Sequence, residues 1–314
     1  MGRILTLVVF FVLVFVLALS LFPDFFSKET CSYEETVKQY ARGKFVAVDG
    51  KKVHYLEKGA GSPVILIHGF LYHTVAWQKN IDALAERFKV YAVDLWGQGY
   101  SQRLPRPDYS FPLYGRQIKG FMEALGIPKA SLVGQDMGGG ISVYAAVKYP
   151  DQIDRLILVS PAVIPHPEPT IETIFRLPGA GEFINSLPGD FIMKNALKNI
   201  WFYDPNKVTD GYAQEVLQPL CIKGSHEALL YVLRNVLKEP LLGNEAKELA
   251  RADLPILLIH GREDKAMPLN SSRVLNKLWR NSRLAVFDRT GHSAQEEHPE
   301  KFNALTLAFL TEKN

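Results

Sequence analysis

Short, unbroken apolar runs recur along the chain at Val64-Ile65-Leu66-Ile67, Val90-Tyr91-Ala92-Val93, Ser131-Leu132-Val133, Leu156-Ile157-Leu158-Val159, Ile256-Leu257-Leu258-Ile259 and Leu284-Ala285-Val286-Phe287. Runs of this length without apolar/polar alternation fit strands covered on both faces. Ahead of them, Phe45-Val46-Ala47-Val48 and Val53-His54-Tyr55-Leu56 flank Asp49-Gly50, and Asp-Gly between two such segments predicts a hairpin. From Lys44 onward the pattern predicts a mostly parallel sheet flanked by helices, an open α/β fold. Between Pro161 and about Asn244 the strand rhythm stops, and Pro, Gly and helix-like stretches replace it. This insertion, about residues 162–244, is expected to form a helical lid over the carboxyl edge of the sheet, where open α/β sheets bind ligands.

The N-terminus follows a different pattern. Ile4 to Phe22 is apolar and uncharged, with Arg3 before it and Pro23-Asp24 after it. Its length matches a helix crossing a hydrocarbon core, so residues 1–26 are expected to be a single-pass signal-anchor with the membrane as partner. Arg3 favours an inside N-terminus and a folded domain on the outer, periplasmic or extracellular, face. Cleavage of this segment would instead give a secreted protein. Residues 27–43 read as a linker, Glu-rich and without an apolar stripe, and residues 44–314 as the α/β domain.

Composition narrows the function classes. With 314 residues and 47% hydrophobic content, the chain can bury a large core. A formal charge of +3, with no basic stretch interleaved with aromatics, gives no support for a nucleic-acid partner. Cys31 and Cys221 lack metal-ligand spacing and are too few for a disulfide framework, which leaves a single bridge between them open.

The chemistry centres on Val133-Gly134-Gln135-Asp136-Met137-Gly138-Gly139-Gly140. An apolar strand precedes it and Ile141-Ser142-Val143-Tyr144-Ala145 follows, so it reads as a strand turning sharply into a helix with Asp136 at the apex. Glycines at 134, 138 and 139 allow the backbone to close. Three other segments end strands at the same edge. Ile67-His68-Gly69-Phe70 offers the Phe70 N–H, which can pair with that of Met137 as an oxyanion hole. Gly261-Arg262-Glu263-Asp264 offers a carboxylate, and Thr290-Gly291-His292-Ser293 offers a histidine. His68 reads as structural support for the oxyanion loop, and His298 as solvated.

The order nucleophile, acid, histidine, together with His68-Gly69-Phe70 and Asp94-Leu95-Trp96-Gly97-Gln98-Gly99-Tyr100-Ser101, resembles the α/β-hydrolases from about Lys44 to the C-terminus. Aspartate at the elbow is similar to the epoxide hydrolase and haloalkane or haloacetate dehalogenase branch. A carboxylate is already ionised at neutral pH and can attack an sp³ carbon to leave an alkyl ester. Asp264-oriented His292 would then activate water against that ester, with the Phe70 and Met137 amides holding the oxyanion. No cofactor or metal is needed. Met137 stands where dehalogenases usually carry Trp, Phe70 where many carry Asn, Gly138 to Val147 lacks the arginines of haloacetate dehalogenases, and Leu71 replaces a usual Pro. Lid tyrosines donate the proton to the ring oxygen in epoxide hydrolases, which makes Tyr203 and Tyr231 the substrate-binding candidates, with Trp96 and Trp201 beside them. Epoxide hydrolysis on a small apolar substrate is the leading expectation. The alternatives are dehalogenation, an esterase or carbon–carbon bond hydrolase scaffold with an altered nucleophile, and non-catalytic ligand binding. The glycine-rich Met137-Gly138-Gly139-Gly140 resembles the serine-dependent members of that third group.

Overall fold

In the computed structural model, residues 29–105, 108–164, 189–236 and 243–312 are described. The expected strands form at β1 (Lys44–Val48), β2 (Lys51–Lys58), β3 (Pro63–Ile67), β4 (Lys89–Val93), β5 (Ala130–Gln135), β6 (Ile153–Val159), β7 (Ile256–Gly261) and β8 (Ser282–Phe287). They make one sheet in the order β1-β2-β4-β3-β5-β6-β7-β8. β2 is antiparallel to both β1 and β4, and every pairing from β4 to β8 is parallel. Asp49 and Gly50 both have positive φ, 49° and 72°, as the tight hairpin requires.

Each central strand feeds two cores. Ile65 and Ile67 of β3 join one cluster with Leu132, Leu156, Leu258 and Trp279, while Val64 and Leu66 join the other with Val133, Ile157, Trp77 and Phe302. Alternate residues thus point to opposite faces, and both faces are apolar because helices cover both. Phe111–Ala124 and Met137–Lys148 cover the first face and Pro299–Thr311 the second. Between β6 and β7 the described chain is helical, with helices Gly189–Ala196, Asp210–Leu217, Ser225–Asn235 and Gly243–Leu249.

One feature differs from the sequence expectation, and one that it left open is settled. The linker contains a helix, Tyr33–Tyr40, started by Ser32 as N-cap: Ser32 Oγ accepts the Glu35 N–H and donates to the Glu35 carboxylate. Cys31 and Cys221 form a disulfide with Cα atoms 5.3 Å apart. Around it, the Cys31 N–H donates to the Cys221 carbonyl and the Glu29 carboxylate accepts the Gly224 and His226 amides. The N-terminal segment is therefore strapped to the insertion between β6 and β7.

The membrane expectation is corrected. Ile4–Phe22 lies outside the described residues, and among those described no helix is long and apolar enough to cross a membrane. The longest described helix, Phe111–Ala124, has 14 residues, which at about 1.5 Å each spans ~21 Å against a hydrocarbon core of about 30 Å. The single-pass location, the outer-face domain, the membrane partner and the secreted alternative are set aside.

Candidate active site

Asp136 stands between β5 and helix Met137–Lys148 with φ 53° and ψ −122°. A non-glycine residue there is strained, and the surrounding packing must hold it. Two glycines do so by admitting backbone. A Cβ at Gly134 would come 2.2 Å from the Gly138 carbonyl oxygen, and one at Gly138 would come 2.2 Å from that of Ile67. The elbow closes onto the end of β3, next to the loop that carries Phe70.

The Phe70 N–H donates to Asp136 Oδ2 at 2.9 Å, and the Met137 amide at the head of the following helix helps to lower the carboxyl's pKa. Of the two amides expected to form an oxyanion hole, that of Phe70 is taken up by a side-chain oxygen of Asp136. The other oxygen, Oδ1, lies 3.8 Å from His292 Nε2. Behind it, His292 Nδ1 is 2.9 Å from Asp264 Oδ2. Asp264 Oδ1 accepts the Ala266 and Met267 amides at 2.9 and 2.8 Å. The three predicted residues thus stand in one line.

Burial raises the Asp136 pKa above the usual carboxylate value, an effect that His292 and the two amides only partly offset. Burial acts in the same direction on Asp264, but His292 and a second histidine, His260, outweigh it and hold that carboxyl well below the ordinary range. For His292, burial alone would lower the pKa; attraction to Asp264, their hydrogen bond and Asp136 reverse this and raise it. Asp264 is therefore a fixed anion that keeps His292 basic.

Sequence reading missed several supports. His260 Nε2 lies 3.3 Å from Asp264 Oδ2, and its Nδ1 is 2.7 Å from Ser272 Oγ. The only signal is a polar residue closing the apolar run Ile256-Leu257-Leu258-Ile259. Gln135 Oε1 accepts the Gly69 N–H at 3.1 Å, and Gln98 Oε1 accepts that of Leu71 at 3.0 Å, which fixes the turn carrying Phe70. Leu71 has φ 69°. Proline can neither adopt that angle nor supply the donated N–H, so its absence at this position belongs to the loop's conformation. His68, fully buried, receives the Leu95 N–H on Nε2, and burial lowers its pKa to about 4. Glu297 accepts the Gly291, Tyr203 and Asp204 amides, tying the histidine loop to the insertion.

Of the four substrate-binding candidates, Trp201 reaches the line. Its carbonyl accepts the His292 N–H at 2.7 Å, its ring stands edge-on to the imidazole at 6.0 Å, and its buried indole N–H has no partner among the described residues. Trp96 is buried in the core with the Lys51 ammonium over its ring. Tyr203 is 41% exposed. Tyr231 is half-buried against the first core cluster, on a helix whose Leu230 and Leu233 pack with Phe70.

The strand order, the elbow and the aligned Asp136, His292 and Asp264 define a hydrolase of the α/β type. The chain belongs to the α/β-hydrolase fold family, which matches residues 62–197 and 198–299. It is 30% identical over 278 residues to the 2-hydroxymuconate semialdehyde hydrolase of Pseudomonas sp. strain CF600, covering 86% of this chain and 94% of that one. It is also 30% identical to the 2-hydroxy-6-oxo-6-phenylhexa-2,4-dienoate hydrolase of Burkholderia cepacia, over 85% of this chain and 96% of that one. Among solved structures, the meta-cleavage product hydrolase of Pseudomonas fluorescens IP01 superposes with TM-score 0.74 at 30% identity, covering 87% and 98% of the two chains. Epoxide hydrolase CorEH superposes with TM-score 0.73 at 21% identity, over 85% and 98%, a likeness of fold alone.

Proposed function

We propose that this protein is a cofactor-independent hydrolase in which Asp136 attacks an sp³ carbon of a small apolar epoxide and is released by His292-activated water. The observation that carries this reading is the Phe70 amide on Asp136 Oδ2. In a serine-type hydrolase that amide pair receives the substrate's oxygen. Here the Phe70 amide is taken by the carboxylate itself, which leaves Oδ1 as the attacking atom and sets Oδ2 where the later oxyanion forms.

In the first step the Oδ1 lone pair opens the ring, giving a hydroxyalkyl ester and an alkoxide that takes a proton. Tyr231 is the donor we assign, because its helical neighbours Leu230 and Leu233 pack against Phe70. In the second step His292 removes a proton from water as the water attacks the Asp136 carbonyl carbon. The negative charge collects on Oδ2 beside the Phe70 amide; collapse breaks the ester C–O bond, the departing alkoxide takes the proton held by His292 to complete the diol, and the proton of the regenerated carboxyl returns through solvent to the Tyr231 phenolate, leaving the carboxylate. The inserted helices between β6 and β7 act as the lid. Single turnover in ¹⁸O-water tests the route: label should enter the Asp136 side chain while the first diol carries the old carboxylate oxygen. Label appearing directly in product would refute it.

The identity to 2-hydroxymuconate semialdehyde and dienoate hydrolases favours a second reading, a carbon–carbon bond hydrolase scaffold on which His292 and Asp264 activate water without an ester at Asp136. The same labelling experiment separates the two.

A further inference from the structure

Glu296 lies four residues beyond His292, on the short helix Ala294–Glu297, and is 1% exposed. Its carboxylate takes a hydrogen bond from the Tyr212 hydroxyl, and its second oxygen has no hydrogen-bond partner among the described residues. Tyr212 belongs to the inserted helix Asp210–Leu217. The Tyr212 and Tyr72 hydroxyls are 3.3 Å apart, and Tyr72 is 3.3 Å from Ser293 Oγ. Tyr72 follows Phe70 by two residues on the loop after β3, and Ser293 follows His292 directly. One buried carboxyl thus joins three pieces of chain: the loop that holds Asp136, the loop that carries His292, and the insertion above them.

We propose that Glu296 is a positioning residue, a proton-dependent latch that fastens helix Asp210–Leu217 to both loops of the site. Protonated, it is a neutral group that fits its buried surroundings. Ionised, it is a buried charge with one oxygen unpaired, a state that draws in water and loosens the helix. Burial lifts its pKa to about 7, although the Tyr212 hydrogen bond, Lys79 and Tyr72 pull the other way. Tyr72 and Tyr212 are pushed well above the ordinary tyrosine value, first by burial and then by the Glu296 charge, so both remain donors while Glu296 titrates.

The neighbouring charged groups are otherwise engaged. The Lys79 ammonium bonds the Glu296 carbonyl, and Glu297 holds the Gly291, Tyr203 and Asp204 amides while its carbonyl takes Lys207. His292 pairs with Asp264. His73, whose pKa burial lowers, bonds the Glu215 carbonyl of the same inserted helix, and Asp210 pairs with Lys194. The folded-state pKa of Glu296 lies above its ordinary value, so the latch is favourable below that ordinary value and weakens as pH rises through about 7.

The test is amide hydrogen exchange of helix Asp210–Leu217 in the full chain, corrected for intrinsic rates, from about pH 5.5 to about 8.5 so as to bracket the titration. Protection in the wild type should fall at least about tenfold across that range, one pK unit's worth. Glu296→Gln, which keeps the shape and a neutral hydrogen bond, should show high protection with no such fall. Tyr212→Phe should show low protection throughout. A pH-independent wild type, or a Glu296→Gln protein with the wild-type fall, would overturn the latch. No turnover is required, so the outcome is independent of the substrate proposed above.

Discussion

At the scale of single residues, the chemistry turns on which oxygen of Asp136 is held by an amide and which faces His292. Replacing the carboxylate with a hydroxyl should change the chemistry as well as weaken it. Asp136→Ser frees the Phe70 amide and leaves a neutral nucleophile dependent on His292. Epoxide opening should fall by about a thousandfold or more, while cleavage of an activated aryl ester should appear; a kinetic assay of both substrates on purified variants checks this. Protonation gives a second residue-level outcome. The His292 pKa is raised from its ordinary 6.5 and that of Asp136 from 3.8. As pH falls, protonation of His292 removes the water-activating base, starting above the ordinary 6.5 because its pKa is raised. Alkyl ester should therefore accumulate in the wild-type protein in mildly acidic solution, as read by quenched mass spectrometry. Asp94 makes a purely structural counterpart. It is fully buried and bound to His54, the Thr74 amide and the Tyr100 amide. Asp94→Asn should cost about 3 kcal/mol in urea unfolding.

At the scale of elements, legibility in the sequence follows from locality. β3 through β8 are legible because each is a short apolar run, and the hairpin because Asp49-Gly50 names its turn. The elbow is legible because its glycines and the residues they admit are neighbours in the chain. Gly138→Ala, which drives a Cβ toward the Ile67 carbonyl, should destabilise by about 2 kcal/mol or more in the same unfolding assay. What the sequence hides is contact made at a distance. His260 ends a strand and looks like any polar terminus, yet it braces Asp264. Glu296 and Glu297 look like a solvated charge pair, yet both are buried and engaged by loops from elsewhere. The Leu71 φ of 69° cannot be read from a leucine in a row of apolar residues. Trp96, buried in the core, and Tyr203, exposed, show that aromatic character alone does not say which way a ring faces.

At the scale of the whole molecule, the N-terminal strap, the sheet and the insertion form one tied unit. Cys31 and Cys221 are separated by 190 residues, and a pairing at that distance leaves no spacing signal. Closing so long a loop restricts the unfolded chain strongly, so Cys31→Ser with Cys221→Ser should lower stability by about 2–5 kcal/mol. Calorimetry of the full chain under oxidising and reducing conditions reads this, and the variant should be insensitive to reductant.

A covalent ester on Asp136 can be trapped by blocking its release. His292→Gln keeps the nucleophile and the amide pair but removes the base that frees the ester. Incubated with panels of epoxides and haloalkanes and weighed intact, the variant should gain the mass of a whole epoxide, and peptide mapping should place that mass on Asp136. A gain equal to an alkyl group without its halogen would move the substrate class while leaving the nucleophile in place. No gain from either panel would contradict the account.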